Sequence, residues 1–292
     1  MAIAASNGIQ ICYETFGDPS DPTILLVSGL GSQLLGWDEN FCRQLAERGH
    51  HVVRFDNRDV GLSTWFDDAE FSFSAGFKAH RNRQPVSAPY TLSDMAADAI
   101  GLLDHLGVAR ANVAGMSMGG MIAQTIAIDH PARVASLCSV MSTTGDREVG
   151  RPTPEANEAL LASPPKSRDE AIGLAIANSR VTGSPAYFDP ERIAATARAA
   201  YDRAFHPSAA ARHLLAVWQS GSRTESLRAL SLPTLVCHGR CDTLIQLDGG
   251  LRTAEVIPNA DLLVLGDMGH DLAPQLWDRV VAALTTLTAR AA

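Results

Sequence analysis

Five residues, Gly115-Met116-Ser117-Met118-Gly119, restrict the fold of this chain more than any other stretch. A short run with strand character, 112–114, precedes them, and a helical run, 121–129, follows. A serine at such a junction sits on a sharp strand-to-helix turn that lifts its hydroxyl clear of a sheet. The backbone there is strained, and glycines two residues to either side remove the side chains that would collide, with Gly120 extending the clearance. The same turn sets the Met118 N–H at a helix start, where negative charge is favoured, so Met118 is expected to be one oxyanion donor. A glycine-rich turn with an incidental serine is the alternative, and it leaves the flanking strand and helix unexplained.

The rest of the chain supplies a frame for such a turn. Runs with strand texture occur at 9–15, Thr23–Val27, 51–56, 112–114 and 134–141, then again at 234–237 and Asp261–Leu265. Helical patterns lie between them at 37–48 and 91–106, and a last helix is expected at 276–287. Thr91 with Asp94 makes a capping-box pattern at the start of the second. This alternation predicts an α/β fold, a mostly parallel central sheet flanked by helices. After Thr143 the texture turns Ala-rich, polar and proline-broken until about Leu230. A helical cap of about four helices is expected at 144–222, inserted into a core formed by 1–143 and 223–292. Ser167 with Glu170 reads as a capping box, and Asp189-Pro190 as an N-cap followed by proline at the first helical position. A segment inserted past the strand ends should sit above them, where open α/β sheets bind ligands.

A serine hydroxyl needs a base, and of the nine histidines His270 is best placed. It follows the strand Asp261–Leu265 in Gly266-Asp267-Met268-Gly269-His270, a loop able to turn back across the carboxyl edge of the sheet. The imidazole in turn needs a carboxylate to orient it, and Asp242, just past the strand 234–237, gives the chain order Ser, Asp, His. Asp248 and Asp146 are rivals for that place. A second oxyanion donor should come from the loop after an early strand, Ser28-Gly29-Leu30-Gly31, with Leu30 the candidate and a plain glycine turn the alternative.

Composition removes other classes. The 292 residues are 46% hydrophobic and 19% charged, as in an ordinary globular enzyme, and a net charge of -8 disfavours a nucleic-acid partner. No apolar run is long enough to span a bilayer and the first ten residues lack a basic start, so a cytoplasmic protein without membrane attachment is expected. The five scattered cysteines read as free thiols. Cys237, His238, Cys241 and Asp242 are metal-ligand types, but no second pair stands at zinc-site spacing, and no metal or organic cofactor is implied.

With these residues in place the chain resembles the α/β-hydrolase superfamily over nearly its whole length. Asp56-Asn57-Arg58-Asp59-Val60-Gly61-Leu62-Ser63 looks like the superfamily's turn after its fourth strand, and 258–270 like the run into its histidine. The stretch 29–37, the Asn57-Arg58-Asp59 variant of that turn, and Met116 and Met118 around Ser117 are similar to a bacterial esterase branch that includes aclacinomycin methylesterase. Two departures stand out. Ser28-Gly29 replaces the common His-Gly before the oxyanion loop, and the segment 64–90, with Trp65, Phe66, Phe71, Phe73 and Phe77, is longer than compact members require. Those aromatics suit an extra lid or local packing equally.

The expected activity is cleavage of a small-molecule carboxylic ester through an acyl-Ser117 intermediate, with Ser117, His270 and Asp242 as a triad. A carbon-carbon bond hydrolase, lactonase, thioesterase or perhydrolase would use the same residues, as would a ligand receptor on this fold. Met116, Tyr187, Phe188 and Trp218 are candidate pocket residues, and the aromatic content hints at a bulky apolar substrate. Oligomeric state is not legible.

Overall fold

In the computed structural model, which describes residues 1–291, eight strands form one sheet. They are β1 (Ala2–Ser6), β2 (Ile9–Phe16), β3 (Thr23–Val27), β4 (His51–Phe55), β5 (Ala111–Met116), β6 (Val134–Val140), β7 (Thr234–Gly239) and β8 (Asp261–Leu265). Their order across the sheet is β1-β2-β4-β3-β5-β6-β7-β8; β1 and β2 are antiparallel to their neighbours and the rest run parallel. The α/β class expected from the alternating texture is therefore the fold observed. The chain leaves β3 toward β4 on one side and leaves β5 toward β6 on the other, so the loops after β3 and β5 diverge and open a crevice at the carboxyl edge.

The central strands are buried on both faces, so their apolar residues run continuously and divide by alternation. Leu25 and Val27 of β3 enter one core, and Ile24 and Leu26 the other. The first core is covered by α3 (Leu92–His105), α4 (Met118–Asp129) and α10 (Leu247–Val256). The second lies under α1 (Glu39–Ala46) and α11 (Trp277–Ala289), where Phe41, Leu45, Val280 and Leu284 pack. The capping box at α3 forms as expected from Thr91 and Asp94.

Three elements escaped the sequence pattern: α2 (Phe73–Arg81), β1 and α10. β1 joins β2 through Asn7-Gly8, both at positive φ (47° and 79°), the two-residue hairpin turn that an Asn-Gly pair favours. α10 begins with Gly249 and Gly250 in its first turns, residues poor in a helix by propensity; here Gly250 lies against His238, where an added Cβ would fall 2.4 Å from Nδ1.

Between β6 and β7 lie α5 (Pro154–Leu160), α6 (Arg168–Thr182), α7 (Pro190–Arg203), α8 (Ala209–Ser220) and the single turn α9 (Thr224–Leu227). Asp189 caps α7 through the N–H groups of Glu191 and Arg192, with Pro190 at the first turn. The box expected at α6 is half made: Ser167 accepts from Glu170 N–H, while the Glu170 carboxylate takes the N–H of Lys166 instead of that of Ser167. The segment 64–90 contains α2 (Phe73–Arg81), whose Phe73, Phe77 and His80 rings gather around Trp218 of α8. Phe66 meets Tyr90 edge-on, and Trp65 stacks on His206. These aromatics pack against neighbouring elements. Among the described residues, no helix is long and apolar enough to cross a membrane.

The turn after β4 locks these layers with buried charge. Asp56 accepts from the N–H of Leu34 and of Leu62, and Asn57 Nδ2 donates to the Ser28 carbonyl at 3.0 Å. Arg58 grips Asp98 of α3 with two bonds of 2.6 and 2.8 Å, and Asp59 accepts from Arg212 of α8 and from Tyr90. Removing one member of a buried ion pair leaves the other charge uncompensated. The Arg58→Met variant is thus expected to lose about 3–5 kcal/mol of unfolding free energy, read from urea titration. A loss below about 1 kcal/mol would contradict this role.

Candidate active site

Ser117 stands between β5 and α4 at φ 56° and ψ -123°, a left-handed conformation uncommon for a residue with a side chain. The reason for the flanking glycines is close approach. A Cβ on Gly115 would lie 2.0 Å from the Gly119 carbonyl oxygen, and one on Gly119 would lie 2.1 Å from the carbonyl oxygen of Val27 in β3. The turn is tied on both sides: Ser117 N–H donates to the Val140 carbonyl at 2.9 Å, and Ser142 Oγ donates to the Ser117 carbonyl at 2.8 Å. The serine is neither fully buried nor fully exposed.

His270 Nε2 lies 2.9 Å from Ser117 Oγ, and His270 Nδ1 lies 2.7 Å from Asp242 Oδ2. The three side chains picked from the sequence thus form one hydrogen-bonded chain across three loops. Asp242 is 4% exposed, and its other oxygen accepts from the N–H of both Leu244 and Ile245. Burial opposes its ionisation, but the two nearby imidazoles and their hydrogen bonds outweigh burial and hold its pKa down at about 2. The rival carboxylates are engaged elsewhere, Asp248 with Gly150 N–H and Asp146 with Arg252.

The second imidazole belongs to His238 of β7, completely buried, with Nε2 2.8 Å from the Ile245 carbonyl and 3.5 Å from Asp242 Oδ2. Its N–H closes the loop that carries Asp242. In the sequence it could be seen only as one of four ligand-type residues. The signal it did give is its position one residue before Gly239 on a strand, which directs it to the face opposite its neighbours.

On the side expected to hold an oxyanion, Met118 is the first residue of α4, so its N–H has no acceptor within the helix. Gly29 lies against the serine, its absent Cβ 3.4 Å from Ser117 Cβ, and brings Leu30 next to the turn. Gly29 to Ser32 form a β-turn closed by Ser32 N–H donating to the Gly29 carbonyl at 3.2 Å, with Gly31 at φ 65°, a type II geometry.

The His270 loop is clamped by the end of α6. His270 N–H donates to the Thr182 carbonyl at 2.6 Å, Gly269 N–H donates to Ser184 Oγ at 2.9 Å, and Ser184 donates to Asp271 through its N–H and its hydroxyl. Thr243, beside Asp242, donates to the Val181 carbonyl at 2.8 Å. No sequence pattern pointed to this clamp, because four of its five bonds end on at least one backbone group.

The candidate pocket residues fall in different surroundings. Met116 precedes the serine on β5 and is half-buried, its Cε 3.9 Å from where a Cβ of Gly36 would stand. Tyr187 donates to Asp267 in the histidine loop, Phe188 lies under the Arg180 guanidinium at 4.5 Å, and Trp218 sits among the rings of α2.

The family described as alpha/beta hydrolase fold matches residues 22–274 of the chain. Rhodomycin D methylesterase DauP of Streptomyces sp. is 27% identical over 300 residues, covering 96% of this chain and 95% of its own. A 2-hydroxymuconate semialdehyde hydrolase of Pseudomonas putida is 31% identical over 190 residues, covering 65% of this chain and 66% of its own. The solved esterase RhEst1 of Rhodococcus sp. superimposes with a TM-score of 0.76 at 21% identity, over 99% of this chain and 98% of that one.

Because the Asp242 carboxyl titrates near 2 when folded and near the usual aspartate value when unfolded, its ionised form stabilises the fold above about pH 4, and that stabilisation is lost as pH falls toward 2. The difference in unfolding free energy between the wild type and Asp242→Asn is expected to shrink by about 2 kcal/mol from pH 5 to pH 2. A difference independent of pH over that interval would contradict the depressed pKa.

Proposed function

This chain belongs to the alpha/beta hydrolase fold family, and on that premise we propose that it is a carboxylic ester hydrolase acting through an acyl-serine intermediate. Ser117 Oγ adds to the ester carbonyl carbon while its proton passes to His270 Nε2. Asp242 holds the imidazole by Nδ1 and stabilises the imidazolium that forms. The negative oxygen of the tetrahedral intermediate is held by the N–H groups of Leu30 and Met118. His270 then gives its proton to the departing alkoxide, leaving an acyl-enzyme. Water adds to the acyl carbon as His270 takes its proton; the second tetrahedral intermediate then breaks its bond to Ser117 Oγ, His270 returns the proton to that oxygen, and the carboxylic acid leaves.

What carries this proposal is the continuous chain Ser117 to His270 to Asp242, with links of 2.9 and 2.7 Å, around a serine held in a strained turn. Residues 144–222 are proposed to form a cap over the serine, and Met116, Tyr187, Phe188 and Trp218 to line the space beneath it. The name of the rhodomycin D methylesterase relative supports a methyl ester of a small molecule as the substrate class, and the aromatic side chains proposed to line the space suit a bulky apolar one.

The test is turnover of p-nitrophenyl butyrate together with a panel of methyl and aryl esters. The wild type should release product well past one equivalent. Ser117→Ala should lower kcat by roughly four powers of ten or more, with its thermal midpoint unchanged. Release that stops at one equivalent, or Ser117→Ala activity within tenfold of wild type, would overturn the proposal.

A further inference from the structure

His213, on the second turn of α8, plays no part in the proton relay, yet it reaches the turn beside Ser117. Its Nδ1 lies 3.1 Å from the N–H of Gly31, and its Nε2 lies 2.9 Å from the carbonyl oxygen of Arg58. A carbonyl can only accept, so Nε2 carries the proton and Nδ1 offers a lone pair to Gly31. The ring is completely buried, and burial pushes its titration below the ordinary histidine range, which keeps that lone pair free. Ala210, one turn earlier on α8, packs on the same residue, 3.4 Å from where a Cβ of Gly31 would stand.

The position of this bond matters more than its presence. The Gly31 N–H belongs to the middle peptide of the type II turn spanning Gly29 to Ser32. Rotating that peptide by about half a turn would convert the turn to type I, move Gly31 out of the left-handed region and reverse the Leu30 carbonyl, and a turn without this anchor is free to shift as a whole, carrying the Leu30 N–H with it. An acceptor fixed on α8 opposes that rotation. The far nitrogen is anchored to the loop after β4, whose Asn57 also holds the Ser28 carbonyl at 3.0 Å, so both ends of the turn are tied to one loop.

We propose that His213 is a positioning residue for the oxyanion site: through its bond to Gly31 it holds the Gly29–Ser32 turn so that the Leu30 N–H faces the hydroxyl of Ser117. This rests on the acyl-serine proposal and adds that α8 sets the strength of oxyanion binding without touching substrate. Displacement of α8 releases the turn, so the hole is complete only when this helix is seated.

Two substitutions separate the two bonds of the ring. In His213→Asn the amide oxygen can replace Nδ1 as acceptor for Gly31, and the bond to Arg58 is lost. In His213→Gln the amide nitrogen can replace Nε2 as donor to Arg58, and Gly31 loses its acceptor. Losing an oxyanion donor outright costs about 10²–10³ in kcat, and a misplaced donor costs less. His213→Gln is therefore expected to lower kcat for p-nitrophenyl butyrate roughly 10- to 100-fold with KM within about twofold, and to weaken butaneboronic acid, which forms a tetrahedral adduct on the serine, by a similar factor. His213→Asn should stay within about threefold of wild type on all three measures. Equal losses in both variants, or wild-type kcat and boronate affinity in a folded His213→Gln, would overturn the assignment. Nitrogen NMR of the wild type gives a measurement independent of how the variants fold: the Nε2–H tautomer of His213 is expected, and the Nδ1–H tautomer would overturn it. Ser117→Ala run alongside keeps the two questions apart. If it retains wild-type turnover the acyl-serine proposal fails; if it is inactive while His213→Gln is unaffected, only the role of His213 fails.

Discussion

A single strained residue sets the terms for everything around it. Holding Ser117 at φ 56° costs on the order of 1–3 kcal/mol, and such a conformation persists only where its surroundings over-determine it. Here two strands do so. β6 accepts the serine N–H through Val140, Ser142 just past β6 donates to the serine carbonyl, and the Val27 carbonyl of β3 presses against Gly119. The turn sits where the chain departs in opposite directions from β3 and β5, so it stands at the crevice that the strand order itself opens.

Legibility followed the range of the forces involved. Ser117 could be picked out because its strain demands glycine at two neighbouring positions, and that demand is written in adjacent letters. His270 and Asp242 could be picked out because each lies just past a short apolar strand, and strand ends of a parallel sheet converge on one edge. β1 was missed although Asn7-Gly8 announces its hairpin, since Ala2 to Ser6 is too weakly apolar to read as a strand by itself. His238, His213 and the clamp at Thr182 to Ser184 were missed for a different reason. Each acts through a backbone carbonyl or N–H, and backbone groups are the same in every residue.

Buried charge links the distant parts. The turn after β4 sends Arg58 to α3, Asp59 to α8, and Asp56 to the loops on either side of it. Such pairs stabilise little compared with well-packed apolar groups, but each is strongly directional, and a misdocked helix would leave a charge unpaired in the interior. They therefore fix where α8 sits more than how firmly it sits. The apolar faces of the sheet supply most of the driving force, while these pairs choose one arrangement of the loops above it.

The bonds from Val181, Thr182 and Ser184 to the loops of Asp242 and His270 have a bearing on how such a protein could diversify. In many scaffolds the roof over a reaction centre can be exchanged as a module, leaving the floor intact. With the cap proposed above, the end of α6 would be roof and scaffolding at once. A recombination event that imported a foreign roof would import new supports for the imidazole as well, so selectivity and rate would be inherited as a linked trait.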